Sequence, residues 1–215
     1  MTQFTQTFNF MRKPLVIMIY VILVFLAYNY VDKNLANYLY PLNLRVSTPV
    51  LVLLTMLGKW SIYVPIFLMT ALFFRFVKRD KSNEWRAWYL LGAVVAVNLV
   101  CLVLKVMLSR ARPELLFTTH EFGFYWVQLK GDFWSFPSGH TMTIVGVAAA
   151  VGILFPRFFY LLMTIALLVA ASRVLLYYHY LSDVMTGFYL SILVIGYYTQ
   201  YLQKHGDFNQ QATIM

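Results

Sequence analysis

The chain has 215 residues, of which 61% are hydrophobic and 12% charged, and its formal net charge is +9. Soluble domains carry about twice that charged fraction, so the composition excludes an ordinary soluble domain and reads as an integral membrane protein, its length best counted in crossings of roughly 20 residues. The basic residues sit in short clusters between apolar runs rather than along one polar face, which argues for contact with anionic membrane lipids and against nucleic acid.

Six membrane spans are predicted, over residues 14–31, 60–77, 87–108, 139–155, 158–177 and 184–202, each bounded by charge, Pro or interfacial aromatics such as Trp60, Trp85 and Trp88. Arg12 and Lys13 precede "PLVIMIYVILVFLAYNYV" with no small-residue cleavage site behind it, so this is read as an uncleaved first span. The stretch "STPVLVLLTMLGKW", residues 47–60, is too short for a crossing of its own and is predicted to be a re-entrant or interfacial helix. Arg75, Lys78, Arg79, Lys81 and Arg86 cluster between spans two and three and, with Arg12 and Lys13, belong on the cytoplasmic side. Both termini are then cytoplasmic, with the tail "KHGDFNQQATIM" frayed. The single cysteine, Cys101, lies in an apolar run and forms no intramolecular disulfide. The expected fold is all-α and polytopic, one domain over residues 1–215 with a site at the outer face.

Three constellations fall on that outer face. In "KVMLSRARP", Lys105 and Arg112 are seven residues apart, about two helical turns, which would put both on one face of span three. Pro113 disfavours helix at Arg112 and marks the end. Two cations at an outer helix end call for an anionic ligand, or else snorkel toward head groups. In "FPSGHT", Pro137 and Ser138 predict a helix start, Gly139 permits close approach to the backbone, and the free N–H groups of the first turn make an anion site with His140 at its rim. In "SRVLLYYHYLSD", Arg173 precedes His179 by six residues and Asp183 follows it by four. If His179 and Asp183 share a helical turn, the carboxylate fixes one imidazole nitrogen and leaves the other free to attack. Alone, each constellation also has a structural reading: an ordinary Ser-Gly cap, or a buried His–Asp pair joining two helices. Together they supply three cations, a helix N-terminus, two histidines and a carboxylate, which are the parts phosphoryl transfer needs. Asp183 is the one acid within the motifs, so no two-metal carboxylate cluster is apparent.

Lys-x6-Arg-Pro, Pro-Ser-Gly-His and Ser-Arg-x5-His-x3-Asp, carried by Lys105, Arg112, Pro113, Pro137, Ser138, Gly139, His140, Ser172, Arg173, His179 and Asp183, resemble the three-part signature of the type-2 phosphatidic acid phosphatase superfamily. The resemblance implies that His179 attacks phosphorus to form a phosphohistidine, that Asp183 orients it, and that His140 protonates the leaving oxygen and later activates water. It implies that Lys105, Arg112, Ser138, Gly139 and Arg173 hold the phosphate. No metal and no cofactor are implied. Arg110 lies outside the signature and is read as a lipid or second-phosphate contact.

The segment 114–136 carries eight aromatics and is expected to lie at the interface beside the site, while His120 and His205 have no motif partner. The implied substrate is a lipid phosphate or diphosphate reached from the outer leaflet. Undecaprenyl diphosphate, phosphatidylglycerophosphate, phosphatidate and a lipid A phosphate all fit. Location in a bacterial inner membrane with the site facing the periplasm is expected by fold-level analogy. No protein partner is evident. Lipid-to-lipid phosphotransfer and a non-catalytic anionic-lipid carrier are the alternatives. A vanadium haloperoxidase reading, which shares related motifs, conflicts with the apolar spans.

Overall fold

The computed structural model of the chain describes residues 2–205; most of the C-terminal tail lies outside the described residues. Helix α1, Gln3–Met11, starts behind Thr2, whose hydroxyl accepts the Thr5 amide at 3.3 Å, and it buries Phe4, Phe8 and Met11. Helix α2, Pro14–Leu26, buries none of its 13 residues, the pattern of a helix whose surroundings are lipid.

The first span does not stop at 31. A π-helical turn, Ala27–Val31, passes into α3, Asp32–Leu39, and the apolar helix runs Pro14–Leu42. Asp32, which on sequence grounds marks an end to the membrane segment, is instead fully buried and paired inside the protein.

Two short helices follow, α4 at Leu44–Ser47 and α5 at Pro49–Met56. At 1.5 Å per residue α5 spans about 12 Å, too short to cross. Helix α6, Trp60–Phe73, continues through a π-helical turn to Lys78, and α7, Lys81–Leu108, is capped by Asp80, which accepts the Asn83 amide at 3.1 Å. Helix α8, Pro113–Thr118, opens the irregular segment that leads to α9, Gly139–Leu154, then α10, Phe159–Leu175, and α11, Leu181–Lys204. Among the described residues there is no strand, only an isolated antiparallel bridge between Arg110 and Phe124.

Among the described residues five helices are long and apolar enough to cross a membrane, and the chain is an integral membrane protein. The predicted fourth span is different. Helix α9 has 16 residues, about 24 Å, short of the roughly 30 Å of a hydrocarbon core. It is the bundle's centre, packed by α7, α10 and α11, with Met142, Val145, Ala149 and Ala150 at zero exposure. Small residues allow this closeness, as interhelical contact in lipid is a matter of packing. At Gly187 of α11 a Cβ would sit 3.1 Å from the Ser138 carbonyl, so its absence lets α11 lie against the start of α9.

The antiparallel run of α7, α9, α10 and α11 brings the C-terminal ends of α7 and α10 beside the N-terminal ends of α9 and α11. The basic cluster from Arg75 to Arg86 lies at the other end of α7. Lys81 and Lys105 are 24 residues apart on it, about 36 Å.

Candidate active site

At that shared end, Lys105, Arg112, Gly139, His140, Arg173 and His179 line one cavity of about 590 Å3. Three of these are cations, and no acidic side chain lines the cavity among the described residues. Each cation is anchored: Lys105 Nζ donates to the Trp134 carbonyl, Arg112 Nε to Gly131 O at 3.0 Å, and Arg173 Nη1 to the buried Thr55 Oγ1 at 2.7 Å. Arg173 Nε is buried without a hydrogen-bond partner, an unmet donor beside a cavity with room for an anion.

Lys105 and Arg112 do not share a helical face. Helix α7 ends at Leu108, where Ser109 turns left-handed with φ 44°, and Arg112 is the extended cap of α8 with φ −73° and ψ 158°. The loop, not the helical repeat, carries Arg112 back to the cavity. Pro113 therefore starts a helix rather than ending one.

Ser138 is the residue before α9, as predicted, but its side chain makes no cap bond. It has no exposure, its Oγ accepts from Thr141 Oγ1 at 3.0 Å, and its N–H donates to Asp183 O at 3.1 Å. Ser138 thus lies behind the cavity wall and ties α9 to α11, whereas Gly139 and His140 form the wall. Gly139 is close to Lys105 and Cys101; a Cβ there would be 3.5 Å from Lys105 Cε and 3.6 Å from the buried sulfur.

His179 is not on a helix. It ends the turn between α10 and α11, with its N–H on Arg173 O at 3.2 Å, while Asp183 is in the first turn of α11. Asp183 Oδ2 accepts the Tyr180 N–H at 2.9 Å and the Ser135 hydroxyl at 2.6 Å. His179 Nδ1 is 3.6 Å from Asp183 Oδ2 and 3.5 Å from Ser135 Oγ. Both lie beyond the usual range of about 2.7–3.2 Å for a direct hydrogen bond. With the Ser135 proton on Asp183, the hydroxyl's lone pairs face Nδ1, so Ser135 bridges the pair. Burial holds the His179 imidazole well below the usual 6.5, the charges of Lys105, Arg173 and Arg112 acting the same way.

Arg110 is not a lipid or phosphate contact. Its side chain is fully buried, with Nη2 on Asp32 Oδ2 at 2.8 Å and Nη1 on Asp183 Oδ1 at 2.5 Å and Ser182 Oγ at 2.7 Å. Tyr28, Phe122, Phe124 and Tyr180 surround the guanidinium at 4.2–5.6 Å. Phe122 and Phe124 of the aromatic segment are therefore packing for this ion pair, while Trp134 of the same segment lines the cavity. His120 and His205 are exposed and away from it.

The stretch 44–58, which overlaps the segment 47–60 predicted to be a re-entrant or interfacial helix, holds the site from the opposite side. Arg45 donates from Nε to Leu176 O at 2.8 Å and from Nη2 to Tyr177 O at 3.1 Å, packed over the rings of Tyr177 and Tyr178. Thr55 holds Arg173, and Gly58 packs on His140.

A family model of the PAP2 superfamily matches residues 86–207, more than half of the chain. The chain belongs to the PAP2 superfamily. Among its PAP2 relatives, the lipid A 1-phosphatase of Rhizobium johnstonii is 33% identical over 141 residues, covering 60% of this chain and 57% of the relative. That of Rhizobium etli is 36% identical over 107 residues, covering 48% and 45%. The chain thus spans about half the length of these two. Phosphatidylglycerophosphatase B of Bacillus subtilis is 27% identical over 169 residues, 74% of this chain and 76% of the relative. The crystal structure of a transmembrane PAP2-type phosphatidylglycerolphosphate phosphatase from Bacillus subtilis superposes with a TM-score of 0.58 over 89% of this chain and 96% of that one. At 23% identity that likeness is one of fold.

Proposed function

We propose that the chain is a lipid phosphatase, hydrolysing the phosphate monoester or diphosphate of a membrane lipid at a phosphohistidine formed on His179. The observation that carries this reading is the shape of the cavity. Its cationic end, at Lys105, Arg112 and Arg173 with His140 beside them, continues into an apolar trough lined by Val64 of α6 and Val94, Val95, Leu99 and Leu102 of α7. From Lys105 to Val94 is eleven residues, about 16 Å along the helix. Val95, Leu99 and Leu102 are about half exposed, which leaves the trough open toward the surrounding lipid. A soluble ester has no use for such a trough; a phosphate head with an apolar tail fits both parts. The PAP2 relatives that act on lipid phosphates by name point the same way.

In this mechanism Lys105, Arg112, Arg173 and the first-turn amides at Gly139 hold the phosphoryl oxygens and stabilise the charge they gain in the transition state. His179, with Nδ1 held by Asp183 across Ser135, attacks through Nε2. The N–P bond forms as the bond from phosphorus to the lipid oxygen breaks, and that oxygen takes a proton from His140. A water molecule then attacks phosphorus and gives its proton to His140, the N–P electrons return to His179, and inorganic phosphate leaves. The basic clusters, taken as cytoplasmic, favour a site on the outer face, which in a bacterial inner membrane would be the periplasmic side.

The test is phosphate release by purified protein in detergent against a panel of lipid phosphates and diphosphates, with His179→Ala as the control. Release that depends on His179 supports the reading. Binding of the lipids with no release by the wild type would make the chain a carrier instead.

A further inference from the structure

Asp183 has two claimants. Its Oδ1 is held by Arg110 and its Oδ2 is directed to Ser135 and His179. A lone guanidinium at 2.5 Å would take most of the carboxylate's charge and leave little for the imidazole. Asp32 changes that count. It binds the other end of the same guanidinium at 2.8 Å, so two carboxylates share one cation and the sealed cluster keeps one net negative charge. Asp32 also accepts the Ser182 N–H at 3.0 Å, an unpaired donor in the first turn of α11, and the Ser182 hydroxyl. Asp32 and His179 border the same small second cavity behind the site.

A buried ionic triad is not needed for stability, because apolar residues of similar volume serve as well or better. Asp32 has no side-chain exposure and does not line the main cavity, so it does not meet substrate. A reason for keeping these charges lies in what they do to Asp183.

We propose that Asp32 is a positioning residue: by holding Arg110 it leaves the Asp183 carboxylate to His179 Nδ1–H, directly or across Ser135 Oγ, so that His179 Nε2 stays free toward the cavity. Without Asp32, Arg110 draws Asp183 wholly to itself and the imidazole loses the partner that selects its tautomer. The effect is one of charge balance, so removing Arg110 as well as Asp32 restores it.

The test reads the His179 tautomer by nitrogen NMR of histidine-labelled protein in detergent, the signal assigned with His179→Gln. It needs no substrate, so a wild type that released no phosphate would fail the phosphatase reading and leave this test standing. Wild type is expected in the Nδ1–H form. Asp32→Asn is expected to lose much of that form and about tenfold or more in kcat with KM unchanged, since a wrong tautomer removes the attacking nitrogen. The double variant Asp32→Asn/Arg110→Met is expected to recover tautomer and kcat toward wild type, and this also decides the case in which Asp32→Asn alone fails to fold. Ser182→Ala removes a hydroxyl from the cluster but no charge, and is expected to keep the wild-type tautomer. An unchanged tautomer in Asp32→Asn, a double variant no better than the single, or the same shift in Ser182→Ala would each overturn the proposal.

Discussion

Gly58 gives a sharp test of whether His140 works in the reaction or only lines the cavity. A methyl group at position 58 would lie 2.6 Å from His140 Cβ, 3.0 Å from its Cα and 3.0 Å from its Cδ2. Carbon atoms rest at about 3.5–4.0 Å, so Gly58→Ala forces a separation of about 1 Å. Helix α9 does not yield easily, since Thr141 and Met142 beside His140 have no exposure. The strain falls on the turn from α5 to α6 and on the imidazole itself. Overpacking of this kind costs about 1–3 kcal/mol of stability, and a misplacement of about 1 Å in a reacting group costs about a hundredfold in rate. If His140 protonates the leaving oxygen, the loss depends on how much that oxygen needs a proton. The assay is kcat/KM for a lipid phosphate monoester and for nitrophenyl phosphate, with thermal unfolding alongside. About a hundredfold loss on the lipid and a much smaller loss on the nitrophenyl ester is the expected result. Equal losses on both substrates, or full activity on both, would refute the assignment of His140.

Three further outcomes follow from the site. His179→Ala should abolish both turnover and acid-labile phosphate on the protein, whereas His140→Ala should still trap phosphate when the leaving group is good; a labelled phosphoenzyme in the His179 variant would show that another group attacks. Because burial pushes His179 below 6.5, its neutral form is present on the acid side of that value, and the acid limb of the kcat/KM profile should lie below pH 6.5; a limb at or above it would mean that His179 titrates as an exposed imidazole. Phosphate release should survive EDTA, since Lys105, Arg112 and Arg173 supply the positive charge at the phosphate; loss on chelation with recovery on adding magnesium or zinc would require a metal in the mechanism.

Much of the site was legible because the cavity's cations and histidines, Lys105, Arg112, His140, Arg173 and His179, belong to three short motifs whose chemistry is unusual at a membrane boundary, whereas Asn98, Trp134 and Thr143 line it from outside those motifs. The helices were legible for a plainer reason, the length of their apolar runs. Burial was not. In lipid the outside of a bundle is as apolar as its inside, so hydropathy treats α2, which buries nothing, and α9, which is buried almost throughout, as the same kind of segment. The difference was present only in the length of α9 and in its run of Gly and Ala.

Partners distant in the chain were equally hidden. Asp32 is 150 residues from Ser182 and 78 from Arg110, and Thr55 is 118 from Arg173. Periodicity reports which residues share a face of one helix and says nothing about which helices meet. Arg110 and Arg112 show the consequence. They are the same residue type two positions apart, and counting turns from Lys105 favours Arg112 as a continuation of α7. The left-handed turn at Ser109 ends that count, and after it the chain sends Arg110 inward to two carboxylates and Arg112 to the cavity. What separates the two is charge to be neutralised. Asp32 and Asp183 are both buried at one place, and a cation must join them; removing one member of such a buried cluster costs about 3–5 kcal/mol. The arginine that meets this need is unavailable to substrate, and the one left without a buried carboxylate is the one that can bind a phosphate.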